Sequence, residues 1–188
     1  ITSAVFRDPS AWYHIVFAFN SNLGSGETDK AERTKLYING VRVTSFGTAA
    51  YAGHNQDSGV NVNSSNFIIG SNQAQSSAST WNGYMAEAHF IDGTAYQADS
   101  FGEFDSDSGV WKPIEVSGLT YGTNGFYLDF KDGANLGNDA NGGTDFTESG
   151  LAAIDQTTDT CTNNFVTMNP IDNYYASSVF SNGNLTVV

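Results

Sequence analysis

Positive charge is what this sequence most lacks. Lys and Arg total 7 against 20 Asp and Glu, a net charge of −13 over 188 residues. A nucleic-acid binder needs a basic stripe to neutralise phosphates. The densest basic stretch, Lys30 to Lys35, is interrupted by Glu32. An anionic membrane surface would repel the chain as well. Solubility, crowding on a particle and divalent-cation binding remain compatible with such a surface. Cysteine is nearly absent: Cys161 stands alone, so no intrachain disulfide exists and the fold does not depend on oxidation. With no nearby His, Cys161 reads as an inert thiol. No apolar run approaches the roughly 20 residues of a membrane span. Helical periodicity, heptads and fixed-period repeats are also missing. The chain starts at Ile1 without Met and ends in a strand-like Leu-Thr-Val-Val, so it reads as a fragment of a longer polypeptide.

What is present points to short strands joined by polar turns. Gly numbers 20 and aromatics reach 13%, while Lys and Glu are few. In residues 11–20, Trp12, His14, Val16 and Ala18 alternate with Tyr13, Ile15, Phe17 and Phe19. Both faces are largely apolar, which predicts a central strand in a two-layer protein. Residues 21–33 read as a loop. In Lys35-Leu-Tyr-Ile-Asn-Gly-Val-Arg-Val-Thr, two alternating runs flank Asn39-Gly40, the pair that a type I′ hairpin turn requires. Further strands are expected at Asn66–Gly70, from Trp81 to Ile91, and at Gly125–Phe130. Polar loops lie at 47–66 and 71–80, a turn-rich connector at 94–113, and an acidic Gly/Asn-rich loop at 131–150. The later apolar runs are Phe165-Val-Thr-Met and the closing Leu-Thr-Val-Val.

Four motifs in order, Trp12-Tyr-His-Ile-Val, Lys35-Leu-Tyr-Ile-Asn-Gly, Phe67-Ile-Ile-Gly and Trp81-Asn-Gly-Tyr-Met-Ala-Glu-Ala, resemble the second half of a laminin-G-like or pentraxin-like domain. That resemblance implies an all-β, concanavalin A-like β-sandwich (a jelly roll), partial here, with a turn-rich C-terminal extension. It divides the chain into 1–93 (second half of the sandwich), 94–150 (connector, closing strand and acidic loop) and 151–188 (start of a further β-rich module or a subunit-contact segment). The fold serves lectins, glycosidases and scaffolds alike. The segments beginning Phe90-Ile-Asp-Gly, Phe101-Gly-Glu-Phe, Tyr121-Gly-Thr-Asn and Cys161-Thr-Asn-Asn resemble virion proteins of marine tailed phages. This second resemblance implies a virion location, on the particle surface or a tail appendage, with other copies of the chain and other virion proteins as partners.

Residue chemistry points to several candidate sites. Asp129, Asp132, Asn138, Asp139 and Asp145 lie in the acidic loop and supply the oxygen ligands Ca²⁺ takes. The alternative is a solvated loop built on Asx-turns. Glu103, Asp105 and Asp107 form a second acidic cluster. Tyr51, Trp81 and Tyr121 flank polar loops and offer platforms for a host-surface polysaccharide, against the alternative that they pack internally. Trp12 reads as core and Trp111 as the anchor of its connector. Catalysis has little support. Retaining glycosidases need two carboxyls about 5–5.5 Å apart, whereas Glu87 is isolated and Asp92 falls on the other side of a strand. His14, His54 and His89 are scattered, and no HExxH or nucleophile elbow occurs. The sequons at Asn63 and Asn184 carry no meaning in a phage protein. The expectation is a non-enzymatic adhesion module, neither binding nucleic acid nor inserting into a membrane. A Ca²⁺-dependent lectin is the alternative and a glycan hydrolase the more distant one.

Overall fold

The computed structural model describes residues 1–8, 10–60, 67–71, 80–157, 160–161, 179–181 and 186–187. Among them the chain is mostly strand and turn, with little helix, and its sheets are small. β1 (Ile15–Phe19), β2 (Thr34–Ile38) and β3 (Val41–Arg42) form one antiparallel sheet in that order. The Asn-Gly turn folds as its chemistry demands: φ is +47° at Asn39 and +75° at Gly40, the left-handed pair of a type I′ hairpin. Asn39 also ties the turn to the start of β1, its Oδ1 accepting from the His14 N–H at 2.8 Å.

The central position expected for β1 is not found. It is an edge strand among the described residues, and only its even face turns inward, with Ala18 6% exposed. Its odd face continues across the register Ile15↔Ile38, Phe17↔Leu36 and Ile38↔Val41. This face is apolar and open, with Ile15, Phe17 and Val41 each about 60% exposed. An apolar face alone therefore did not establish burial.

β4 (Ala88–Phe90) pairs antiparallel with β7 (Phe126–Leu128), in register Ala88↔Leu128, His89↔Tyr127 and Phe90↔Phe126. The longer strand expected from Trp81 shrinks to these three residues. Glu87 breaks it with a left-handed φ of +53°, a costly conformation for a side chain with a Cβ. Phe67–Gly70 is irregular rather than strand. The 94–113 connector contains a hairpin, β5 (Gly102–Phe104) with β6 (Trp111–Pro113), and the 21–33 loop holds a 3-10 turn (Glu27–Asp29) and a short helix (Lys30–Arg33). β8 (Phe180–Ser181) pairs with β9 (Thr186–Val187). The run at 165–168 and both sequon asparagines lie outside the described residues.

The 93/94 boundary is crossed by structure. Besides the β4–β7 ladder, the Asp92 N–H donates to the Tyr121 carbonyl at 2.8 Å. Gly40 and Gly102 both lie directly on the Trp111 indole, where an added Cβ would collide with the ring. The hairpin tip of the first segment is thus docked on β6 of the second, with Trp111 as the anchor. The buried apolar core is Ala18, Tyr37, Ala98, Phe101, Tyr121, Phe126 and Leu136. Ala18 and Tyr37 come from the inward face of β1–β2, and the other five from elements that follow β4.

Arg33, 1% exposed, is the one large side chain fully buried among the described residues. No ion pair neutralises it among them. Its guanidinium instead donates to the carbonyls of Leu23, Gly24, Gly26 and Ala52 at 2.5–3.1 Å. The planar fork satisfies four loop carbonyls at once, which a point-like ammonium does not match. Arg33→Met orphans those carbonyls and is expected to lower stability by about 3 kcal/mol in urea unfolding, with Arg33→Lys recovering little of it.

Candidate functional site

Each predicted platform residue occupies a different setting. Trp81 is 61% exposed, its ring resting on Gly83 and its backbone N–H donating to the Gly70 carbonyl. Tyr84 (46%), Phe67 (48%) and Ile69 (46%) in the same segments are also exposed. Tyr51, 38% exposed, meets Phe46 edge-on at 6.5 Å. Tyr121 is 8% exposed, its ring packed inward rather than turned to solvent. Its hydroxyl shares a 2.7 Å hydrogen bond with His89 Nδ1. No ring contact joins the three platforms among the described residues.

Tyr121 belongs to a polar-aromatic layer that the sequence did not reveal. His89 stacks on Tyr127 at 4.0 Å and meets Phe101 at 5.3 Å; His14 meets Trp111 at 5.6 Å and Phe101 at 6.5 Å. His14 Nδ1, His89 Nε2 and Trp111 Nε1 are buried without a partner among the described residues. Burial, reinforced by His14, pushes His89 down to about 4, and burial lowers His14 too. Burial likewise raises the Tyr121 phenol to about 12. Just outside the ladder, Glu87 hydrogen-bonds the Tyr127 side chain and lies within reach of the Asp129 charge. Glu87 is half-buried, and that burial raises its pKa, opposed by Lys131 and assisted by the Asp129 charge. Strand pairing thus gives Glu87 a carboxylate neighbour that lies 42 positions away in sequence.

The acidic loop uses its carboxylates as caps on nearby backbone N–H groups. Asp139, 5% exposed, accepts through Oδ1 from the N–H groups of Tyr127 (2.9 Å) and Asn141 (3.0 Å). Asp145 accepts from the Asp139 N–H at 3.0 Å and from Asn135 Nδ2 at 2.9 Å, and these bonds hold its pKa below the usual carboxylate value. Asp132 caps Ala134, Asp129 caps Lys131, and half-buried Asn138 donates its N–H to the Asn135 carbonyl. Among the described residues no three His, Cys, Asp or Glu side chains converge to hold a metal. As arranged, the four carboxylates among the five predicted ligands each accept a backbone N–H and so help to close the loop. The second cluster behaves alike: Asp105 Oδ1 accepts from Asp107 N, Ser108 N and Ser108 Oγ, while Lys112 bridges Asp105 and Glu103 at 3.2 Å.

An open cleft of 380 Å³ lies where Gly40 at the hairpin tip, the 97–99 turn and the β5–β6 hairpin meet. Tyr37, Phe104 and Trp111 supply aromatic walls, and Gln97 and Asp99 supply polar groups.

A laminin-G-type family model, described as the concanavalin A-like lectin/glucanases superfamily, matches residues 1–99, just over half of the chain. The chain belongs to the concanavalin A-like lectin/glucanases superfamily. No curated protein and no solved structure matches it significantly. The concanavalin A-like match ends before β5, so the pairing of β4 with β7 and the docking of Trp111 join the matched region to residues beyond it. Among the described residues the sheets are small, and two large facing layers are not observed.

Two outcomes test these assignments. Asp139→Ala removes two backbone caps and should lower stability by about 2 kcal/mol, equally with and without EDTA; a loss that depends on chelator would make the loop a metal site. The depressed His89 value means the fold favours the neutral ring. That contribution is complete above the ordinary value of 6.5 and is lost as pH falls toward about 4. The raised Glu87 acts in the opposite sense, contributing at low pH and losing its effect as pH rises. Urea unfolding across this acid range should show declining stability in the native chain and a flatter profile in His89→Phe.

Proposed function

We propose that this chain is a non-enzymatic adhesion module of a tailed-phage particle, a jelly-roll part repeated on a fibre or surface appendage that touches host-surface glycans. The observation that carries the reading is the concanavalin A-like match over residues 1–99, a fold of carbohydrate binding and adhesion. The phage setting is supported by the resemblance of the segments between Phe90 and Pro170 to virion proteins. Exposed Trp81, beside Tyr84, offers a stacking surface of the kind sugars use. Copies of the chain and other virion proteins are the expected partners. The open apolar face of Ile15, Phe17 and Val41 supports such contacts, since solvent-facing apolar patches commonly mark interaction surfaces. Many weak sites on one particle would then give firm attachment by effective concentration.

A hydrolytic reading is favoured by one observation, a half-buried Glu87 with a raised pKa that feels the Asp129 charge, the asymmetry that an acid and its partner carboxylate require. A glycan array probed with the full chain, with and without EDTA, tests the main reading and the calcium-dependent alternative together. Chelator-independent binding that drops about tenfold in Trp81→Ala is expected, the equivalent of one lost stacking contact. Binding abolished by EDTA would instead favour the calcium lectin. Incubation with any bound polysaccharide should release no new reducing ends; release that disappears in Glu87→Gln would replace adhesion by hydrolysis.

A further inference from the structure

The geometry points to the cleft between the hairpin tip, the 97–99 turn and the β5–β6 hairpin as a binding site for a single neutral sugar ring, separate from the Trp81 surface. This rests on the glycan-contact reading and gives it a second location. Phe104 and Trp111 occupy paired positions on one face of β5–β6, and their rings meet edge-on at 4.9 Å. Trp111 is immobilised by Gly40 and Gly102, while Phe104 remains 52% exposed and presents an apolar surface to the opening. The polar groups are complementary in kind. Tyr37 donates its hydroxyl to Gln97 Oε1 at 2.6 Å, which fixes the amide and leaves its NH₂ free. Asp99 has neither a hydrogen bond nor an ion pair among the described residues, so its carboxylate is a free acceptor.

A fixed donor and a free acceptor two positions apart in the sequence suit two hydroxyls of one ring, one accepting from the amide and one donating to the carboxylate. The aromatic wall suits the C–H face of the same ring. At 380 Å³ the cleft is near the lower end of the roughly 300–1,000 Å³ typical of small-ligand sites, which suits a single ring. Gln97 and Asp99 lie within the family match, whereas Phe104 and Trp111 lie beyond it. The site therefore exists only because the two parts of the chain are docked.

The test titrates the full chain with methyl glycosides of glucose, galactose, mannose and N-acetylglucosamine, followed by saturation-transfer NMR and tryptophan fluorescence, in parallel with the glycan array. Asp99→Ala and Phe104→Ala are surface changes whose folding is checked by melting temperature. The expected result is that a glycoside binds the native chain, weakens at least about tenfold in both variants, and is unaffected by Trp81→Ala. Binding lost only in Trp81→Ala overturns the cleft and leaves the glycan reading intact. Array binding without any glycoside effect on Trp111 fluorescence does the same. Methylguanidinium displacing the glycosides would reassign the cleft to an organic cation. Failure of both array and glycosides removes the cleft and the glycan reading together.

Discussion

The contact of the Trp111 indole with two glycine backbones organises this structure. Gly40 must be glycine twice over, for its left-handed φ of +75° in the hairpin turn and for the ring pressed against it. Gly102, on the partner strand of β6, has no room for a Cβ for the same reason. His14 and Phe104 contact the same ring, so one side chain joins the β1–β3 sheet to the β5–β6 hairpin. The cleft that opens beside it is a consequence of that docking.

Around this joint the chain is held as much by polar groups as by apolar ones. Among the described residues the buried apolar set is short, and two of its seven members are alanines. Order in the long turns comes instead from single polar side chains that each satisfy several backbone groups. Arg33 does so for carbonyls, Asp139 and Asp105 for N–H groups. A buried backbone group without a partner costs as much as a lost hydrogen bond, so an acidic, Asn-rich sequence can close its loops without a large core. In the acidic loop Asp129, Asp132, Asp139 and Asp145 all accept from backbone N–H groups in this way.

Function enters through what this scaffold leaves free. The concanavalin A-like match makes carbohydrate contact or adhesion the natural reading. The free surfaces are an exposed Trp81, an apolar sheet face and a cleft with one uncommitted carboxylate. Glu87 and Asp129 are the residues by which chemistry would enter if it does. Their proximity depends on the β4–β7 ladder and on a left-handed residue that interrupts β4.

Local chemistry was legible in the sequence. The Asn39-Gly40 hairpin, the strand at Phe126–Leu128, the turn at Asp92-Gly93 and the all-β character follow from turn residues and alternation over a few positions, and such preferences act at short range. The family motifs lie in that same stretch. Long-range partners were not legible. Alternation assigns Ile15 and Phe17 to one face of β1 but does not say whether anything covers it. Nor does it tell that Glu87 meets Asp129, that Tyr121 turns inward to His89, or that Trp111 lands on the hairpin tip. Those outcomes depend on which strands pair across tens of residues and on which rings fill the space between them. Only the folded chain, packing all of them at once, decides that.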